Sequence, residues 1–202
     1  MIKNIVFDMG NVLIHFKPML FIDRLKLNTE ESELLNNVIF KSDEWLCLDG
    51  GTMVESEVVE VLKQRLPEHL RWAAEKLVME WDQPLIEMEG MEEVARDLKE
   101  KGYNIYLLSN ASSRQHEYWP RIGASKYFDG TLISADVKEM KPGKKIFELL
   151  FEKFEISPEE CIFIDDHEPN IIAARELGMT GIVFNGSAAD LQEELDTILQ
   201  DK

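Results

Sequence analysis

Short apolar segments alternate with amphipathic segments along most of this chain. The apolar segments have the length and the β-branched and aromatic content of buried strands; they are Ile2–Phe7, Asn104–Leu108, Thr131–Ser134, Cys161–Ile164 and Gly181–Phe184. Amphipathic segments with helical spacing separate or follow them, at Met91–Lys101, Lys144–Phe154, Asn170–Leu177 and Ala188–Leu199. Strands that alternate with helices form parallel sheets covered by helices. The sequence therefore predicts an α/β fold built on a parallel sheet.

One long region interrupts this alternation just after the first strand. Its apolar residues recur at helical spacing, in the segments Met19–Leu25, Glu31–Phe40, Thr52–Leu66 and Pro67–Trp81. Its tryptophans are most simply core residues; they are Trp45, Trp72 and Trp81. We therefore predict a helical cap at residues 15–85, inserted into an α/β core that consists of residues 1–14 and 86–202.

The composition limits the partners of the chain. Its formal net charge is −17 over 202 residues, a surface field that repels nucleic acid and anionic membranes. No apolar run is long enough to span a bilayer, and Met1 leads directly into the first strand without a cleavable leader. We expect a cytoplasmic protein that binds neither nucleic acid nor membrane. The sequence does not predict an oligomeric state.

The first predicted strand runs into a polar turn that begins with Asp8 and continues through Gly10 and Asn11. Asp8 is expected at the C-terminal end of the strand, where open parallel sheets bind their ligands. An Asp followed by Gly and Asn is also common in ordinary turns. Asp8 alone therefore does not establish a functional site.

Polar residues that could act at the same edge of the sheet occur in two later loops. Ser109 and Asn110 follow the second predicted strand, where a hydroxyl and backbone N–H groups can hold a phosphate oxygen. Lys141 precedes Pro142, which favours an extended backbone and can direct the lysine ammonium towards the edge of the sheet. Each has an ordinary alternative, which is a turn or helix cap for Ser109 and Asn110 and a solvated surface position for Lys141.

The fourth strand ends in two adjacent carboxylates, Asp165 and Asp166. Such a pair loses hydration and repels itself at the end of a buried strand, so a bound cation is its simplest stabiliser. Oxygen ligands alone favour Mg²⁺ over zinc. The alternative is an Asp pair that caps the following helix.

The order of these polar residues along the chain resembles the four motifs of the haloacid dehalogenase-like hydrolase superfamily. The residues that correspond to the motifs are Asp8, Ser109, Lys141 and the Asp165-Asp166 pair. The resemblance covers essentially the whole chain, because the predicted insertion resembles the small helical cap of that superfamily. It implies a Rossmann-like, three-layer core with a parallel sheet. It also implies a Mg²⁺-dependent phosphatase that forms an aspartyl-phosphate.

The resemblance further implies roles for individual residues. Asp8 would attack phosphorus, and Lys141 would offset charge on Asp8 and on the phosphoryl group. The substrate-binding residues would be Ser109, Asn110 and Lys141. The Mg²⁺ ligands would be Asp8, the backbone carbonyl of Gly10, Asp165 and Asp166. Weaker candidates for contact with the substrate are His15, Lys17, Trp45, Arg114 and His116.

Gly10 departs from the commonest pattern of the superfamily. Most of its phosphatases carry a second Asp there, which protonates the leaving oxygen and then activates water. The chain instead resembles a branch of α-D-glucose-1-phosphate phosphatases with the pattern Asp-x-Gly-Asn-Val and a Trp-Pro pair like Trp119-Pro120. A sugar 1-phosphate has a leaving oxygen of low basicity that needs less protonation. The second step still needs activated water, which His15, His167 or polarisation by the metal could supply; we favour polarisation by the metal, because the sequence does not show where either histidine points.

Three functions stay open on the sequence alone. The leading one is a Mg²⁺-dependent phosphatase of a small phosphorylated metabolite, with sugar phosphates as one class. The second is a metal-independent dehalogenase, which Gly10 favours and the Asp165-Asp166 pair disfavours. The third is a non-catalytic module that binds sugar phosphates, which Gly10 again favours and the retained Asp8 disfavours.

Overall fold

The computed structural model describes residues 1–200 and contains a five-stranded parallel sheet in the order β3-β2-β1-β4-β5. The strands are β1 (Asn4–Phe7), β2 (Asn104–Ser109), β3 (Gly130–Ile133), β4 (Cys161–Asp165) and β5 (Thr180–Val183). Each observed strand begins and ends within two residues of a predicted one. The predicted α/β fold is confirmed.

The register of the sheet determines which polar residues meet at its C-terminal edge. β1 lies at the centre, between β2 and β4. Phe7 of β1 is paired with Ile164 of β4, and the N–H of Asp8 donates to the Ile164 carbonyl at 2.8 Å. The residues that come next on these two strands, Asp8 and Asp165, are therefore neighbours at the edge of the sheet.

The region that follows β1 is helical throughout its regular structure. Its helices are α1 (Pro18–Ile22), α2 (Thr29–Leu35), α3 (Asp43–Asp49), α4 (Glu55–Arg65) and α5 (Arg71–Glu80). A π-helical turn extends α2 over Asn36–Phe40, and 3₁₀ turns flank α1 and α5 at Asp23–Leu25 and Glu68–Leu70. The short helix α3 was not predicted.

The prediction that all three tryptophans of this region are core residues is wrong for one of them. Trp45 and Trp81 are buried, whereas Trp72 is 49% exposed. The buried positions of α5 and its flanks recur at helical spacing, and they are Leu70, Ala73, Ala74, Leu77, Val78 and Trp81. Trp72 lies outside this stripe, so the periodicity of the helix outweighs the apolar character of its side chain.

Within residues 1–200, six α-helices belong to the core. They are α6 (Met91–Glu100), α7 (Gln115–Tyr118), α8 (Ser134–Val137), α9 (Lys144–Phe154), α10 (Glu168–Glu176) and α11 (Ala188–Gln200). Side chains alternate along β1, so Ile5 and Phe7 pack with α6 and α11 on one face and Val6 packs with α9 and α10 on the other. The predicted three-layer, Rossmann-like core is confirmed.

The chain passes between the core and the helical region twice, and the two passages lie side by side. The N–H of His15 donates to the carbonyl of Ile86 at 2.8 Å, and the N–H of Met88 donates to the carbonyl of Leu13 at 2.9 Å. This pairing supports the predicted cap at residues 15–85, whose boundaries stay a prediction. None of the helices within residues 1–200 combines the length and the apolar character that crossing a bilayer requires.

Candidate active site

Lys141 lies between two carboxylates at the C-terminal edge of the sheet. Its Nζ is 2.8 Å from Oδ1 of Asp8 and 2.7 Å from Oδ2 of Asp165. All three residues are buried, and Asp165 is completely inaccessible to solvent. Buried charges are stable only when they are paired. The ammonium group of Lys141 is therefore the partner that both buried carboxyl groups share.

Asn110 fixes the backbone from which the lysine side chain projects. Its Nδ2 donates to the carbonyl of Lys141, and its Oδ1 accepts from the N–H of Lys141, both at 2.9 Å. These bonds connect the loop after β2 to the loop before α9. The side chain of Asn110 positions Lys141, and the binding of the phosphoryl group by Asn110 stays a prediction. Its backbone N–H is the group that can still serve the substrate.

Asp165 is held in place by groups of the following helix. Its Oδ1 accepts from the N–H of His167 at 2.8 Å, and its Oδ2 accepts from Nδ2 of Asn170 at 2.9 Å. His167 directly precedes α10, so Asp165 also satisfies an early N–H of that helix. Asp165 thus bonds to the backbone where α10 begins and contacts Lys141 at the same time, although no side chain caps the helix at His167.

Three carboxylates at this edge have the chemistry of a site for a hard divalent cation. Asp8, Asp165 and Asp166 each offer an oxygen, and these oxygens lie within 4.8 Å of one another. Burial raises the pKa of Asp8 to about 6; Lys141 opposes this rise and Asp165 adds to it. Burial and the neighbouring Asp165 also raise the pKa of Asp166. Lys141 neutralises only part of this charge, so the donor set fits Mg²⁺.

A cavity of about 240 Å³ opens above these carboxylates and extends towards the cap. Asp8, Gly10, Ser109 and Lys141 line its polar floor. Its apolar wall contains Phe16, Trp45, Leu48, Val78, Trp81 and Tyr118. The ring centroids of Phe16 and Trp81 are 5.1 Å apart, and those of Trp81 and Tyr118 are 5.2 Å apart. The wall is therefore a continuous aromatic surface facing a charged floor.

Two carboxyl groups of the cap that were not predicted as site residues also line the cavity. They are Asp49 at the end of α3 and Glu55 at the start of α4. Burial raises the pKa of Asp49 to about 8; Asp8 and Glu55 raise it further, and a hydrogen bond from the N–H of Ser112 lowers it. Only the Gly50-Gly51 pair signals a turn here in the sequence.

The weaker candidates for substrate contact are placed differently from one another. Trp45 lines the cavity. Arg114 instead donates to Asp82 at 2.8 Å, and His116 lies 3.0 Å from Asp136. In the part of the chain that the structure describes, the cavity lining does not include the remaining three histidine and lysine candidates, His15, Lys17 and His167. The two histidines considered for water activation thus lie outside the cavity wall.

The parallel sheet and the charged residues at its C-terminal edge define an α/β protein whose candidate active site lies beneath a helical region. The sequence matches the haloacid dehalogenase-like hydrolases over residues 2–178, and the chain belongs to this family. The predicted family and enzyme class are confirmed.

Two relatives of similar length are phosphatases. The chain is 26% identical to a sesquiterpene phosphatase of Aspergillus oryzae over 200 residues, which are 95% of this chain and 94% of that protein. It is 25% identical to a D-ribitol-5-phosphate phosphatase of Bacteroides thetaiotaomicron over 208 residues, 98% of this chain and 99% of that protein.

A solved structure of a haloacid dehalogenase (HAD) family enzyme from Bacteroides thetaiotaomicron is also similar. The two chains superpose with a TM-score of 0.69 at 25% identity, over 93% of this chain and 96% of the other. That enzyme was crystallised as a complex with magnesium and inorganic phosphate.

Proposed function

We propose that this protein is a Mg²⁺-dependent phosphatase that hydrolyses a small phosphate monoester through an aspartyl-phosphate on Asp8. The observation that carries the proposal is the contact of Lys141 with both Asp8 and Asp165 at the floor of the cavity. A carboxylate needs a fixed cation beside it to attack a dianionic phosphate. The phosphatase relatives and the magnesium and phosphate bound to the similar structure support the same reaction.

Each residue of the cavity floor has a separate role in forming the aspartyl-phosphate. Asp8 attacks phosphorus and displaces the leaving oxygen, which forms the phosphorylated carboxylate. Lys141 offsets the charge of the phosphoryl group, while the Ser109 hydroxyl and the N–H of Asn110 hold its oxygens. Bound Mg²⁺ would supply further neutralisation of that charge. Its ligands would be Asp8, the carbonyl of Gly10, Asp165 and Asp166.

The cavity limits the size and the chemistry of the ester. About 240 Å³ accommodates a small organic group rather than a polymer. The aromatic wall can pack against the C–H faces of a sugar or polyol, while Asp49 and Glu55 can accept bonds from its hydroxyls. We therefore propose a sugar or polyol phosphate as the substrate class. A prenyl monophosphate is the second candidate, because the wall is apolar and one relative is a sesquiterpene phosphatase.

The test measures phosphate release from sugar, polyol, prenyl and aryl monophosphates, with Mg²⁺ and with EDTA. We expect release in Mg²⁺ from at least one class, abolished by EDTA and by Asp8→Asn. Asp43→Asn is the matched control, since Asp43 is exposed on the cap. Halide release from a 2-haloacid that is insensitive to EDTA would instead indicate a dehalogenase. Tight phosphate binding without turnover of any ester would indicate a binding module.

A further inference from the structure

The proposed reaction needs a group that exchanges a proton with the leaving oxygen. In phosphoryl transfer the attacking and leaving oxygens lie roughly in line on opposite sides of phosphorus. Asp8 attacks from the floor, so the leaving oxygen points towards the cap. Gly10 beside the nucleophile has no side chain to supply a proton. The donor must therefore come from the cap side of the cavity.

Three titratable side chains line the cavity away from its floor in residues 1–200, and they are Asp49, Glu55 and Tyr118. Oε1 of Glu55 already accepts from the hydroxyl of Ser112 at 2.8 Å. Burial raises the pKa of Tyr118 far above its ordinary value, so its phenol is too weak an acid to deliver a proton. Asp49 is a stronger acid than a phenol, and within residues 1–200 its carboxyl group forms no hydrogen bond to another side chain.

Two contacts hold the C-terminal end of α3 close to the core and fix the backbone of Asp49. The hydroxyl of Ser134 donates to the backbone carbonyl of Asp49 at 2.5 Å. Gly51, two residues later, has φ +65°, and a Cβ built there would lie 2.3 Å from the carbonyl oxygen of Ala135. Only glycine fits such a close approach in this backbone conformation. Asp49 is thus held at the cavity wall by the fold itself.

The surroundings of the Asp49 carboxyl group favour its protonated form at neutral pH. The charged groups that face it are Asp8 from the end of β1 and Glu55 from α4, and both are acids. The N–H of Ser112 after β2 opposes them, and Tyr118 of α7 faces it as a neutral phenol. Burial is the largest influence and raises the pKa to about 8.

We propose that Asp49 protonates the leaving oxygen and then activates the water that hydrolyses phosphorylated Asp8. This proposal rests on the phosphatase function proposed above. Asp8 bonds to phosphorus while the bond from phosphorus to the leaving oxygen breaks; that oxygen keeps the electron pair and takes the Asp49 proton. Water then attacks phosphorus and gives its proton to Asp49. The bond from phosphorus to Asp8 breaks, its electrons return to Asp8, and phosphate leaves.

The test compares Asp49→Asn with Asp43→Asn, the same substitution at an exposed acid on the same helix. With an alkyl phosphate, we expect kcat/KM of Asp49→Asn to fall by about 10²–10⁴-fold, the usual contribution of general acid–base catalysis. para-Nitrophenyl phosphate has a leaving group that needs no proton. With it, Asp49→Asn should keep a rapid burst of nitrophenol and lose steady-state turnover, while Asp43→Asn resembles the wild type.

The pH profile separates proton transfer from a merely structural role. Only protonated Asp49 can donate, so wild-type kcat/KM for an alkyl phosphate should fall as the pH rises through about 8. That falling limb should be absent from Asp49→Asn and present in Asp43→Asn. An Asp49→Asn variant with the wild-type rate and the wild-type pH profile would overturn the proposal.

A rescue variant distinguishes the loss of a proton donor from damage to the fold, because an acid at another position can replace the proton donor but cannot repair a misfolded protein. A Cβ at Gly10 would meet only Phe16 Cβ, at the ordinary contact distance of 3.6 Å, so the backbone there tolerates a side chain. Gly10→Asp in the Asp49→Asn background should recover at least about tenfold in rate by supplying an acid beside Asp8. A double variant as slow as Asp49→Asn counts against the role of Asp49. A wild-type protein inactive on every ester contradicts the proposed function itself.

Discussion

Lys141→Met removes the ammonium group that Asp8 and Asp165 share while it keeps an unbranched side chain of similar length. Lys141 is only 5% exposed, and its Nζ contacts both carboxylates within 2.8 Å. Breaking a buried ion pair in this way costs about 3–5 kcal/mol, because an uncompensated charge stays buried. For a chain of this size each kcal/mol lowers Tm by about 2–4 °C. We therefore expect Tm in EDTA to fall by roughly 6–20 °C.

The assay is thermal unfolding followed by circular dichroism, together with phosphate release from the best substrate. Lys138→Met is the matched control, because Lys138 is exposed in the same loop and forms no ion pair within residues 1–200. Saturating Mg²⁺ should recover part of the loss, since a ligand at 100 times its Kd stabilises by about 2.7 kcal/mol. Phosphate release should fall by at least about 10²-fold, as it does when a transition-state charge loses its partner.

Two results would refute the reasoning about Lys141. A Tm within about 2 °C of the wild type in EDTA would show that the buried carboxylates do not depend on the lysine. A rate within tenfold of the wild type would show that the ammonium group does not act on the phosphoryl group.

Three further predictions follow from single contacts. Asn110→Ala leaves the N–H and carbonyl of Lys141 unpaired, so we expect about 1–3 kcal/mol of destabilisation and a lower kcat, measured by unfolding and turnover. Gly51→Ala should lower both stability and activity, whereas Gly102→Ala, also at positive φ but with open space around its Cβ, should lower stability alone. The Tm of Asp49→Asn should exceed that of the wild type by an amount that grows as the pH rises from about 4 to about 8. Folding raises the pKa of the Asp49 carboxyl group from 3.8 to about 8, so in this pH range the wild-type protein must protonate Asp49 in order to fold. The free-energy cost of that protonation increases with pH and is absent from the variant. A difference in Tm that does not change with pH would contradict this last prediction.

The sheet was predictable because buried parallel strands are continuous apolar runs, which stand out against the amphipathic helices between them. The register of the sheet was not needed to predict the neighbourhood of Asp8 and Asp165. Parallel strands end at one edge, so polar residues that follow different strands converge there. The same argument placed Ser109 at the cavity floor, where it lies.

Side-chain pairing across the sheet edge could not be predicted in the same way. Asn110 and Lys141 are 31 residues apart, and no periodicity connects an amide of one loop to the backbone of another. The helix α3 was missed because seven residues make two turns, too few for helical spacing to be distinguished from chance. With α3 missing, Asp49 had no predicted place in the fold.

Placing the proton-transferring acid on the cap has a consequence for how the cap and the core work together. Asp8 and Lys141 belong to the core, whereas Asp49 reaches the cavity through the contact of Ser134 with its carbonyl. If the cap moves away to release product, Asp49 moves away from the floor with it. An acid at position 10 would stay beside Asp8 in every cap position and could assist attack by water in an open site. An acid on α3 acts only when the cap is closed, which restricts proton transfer to esters that the cavity has enclosed.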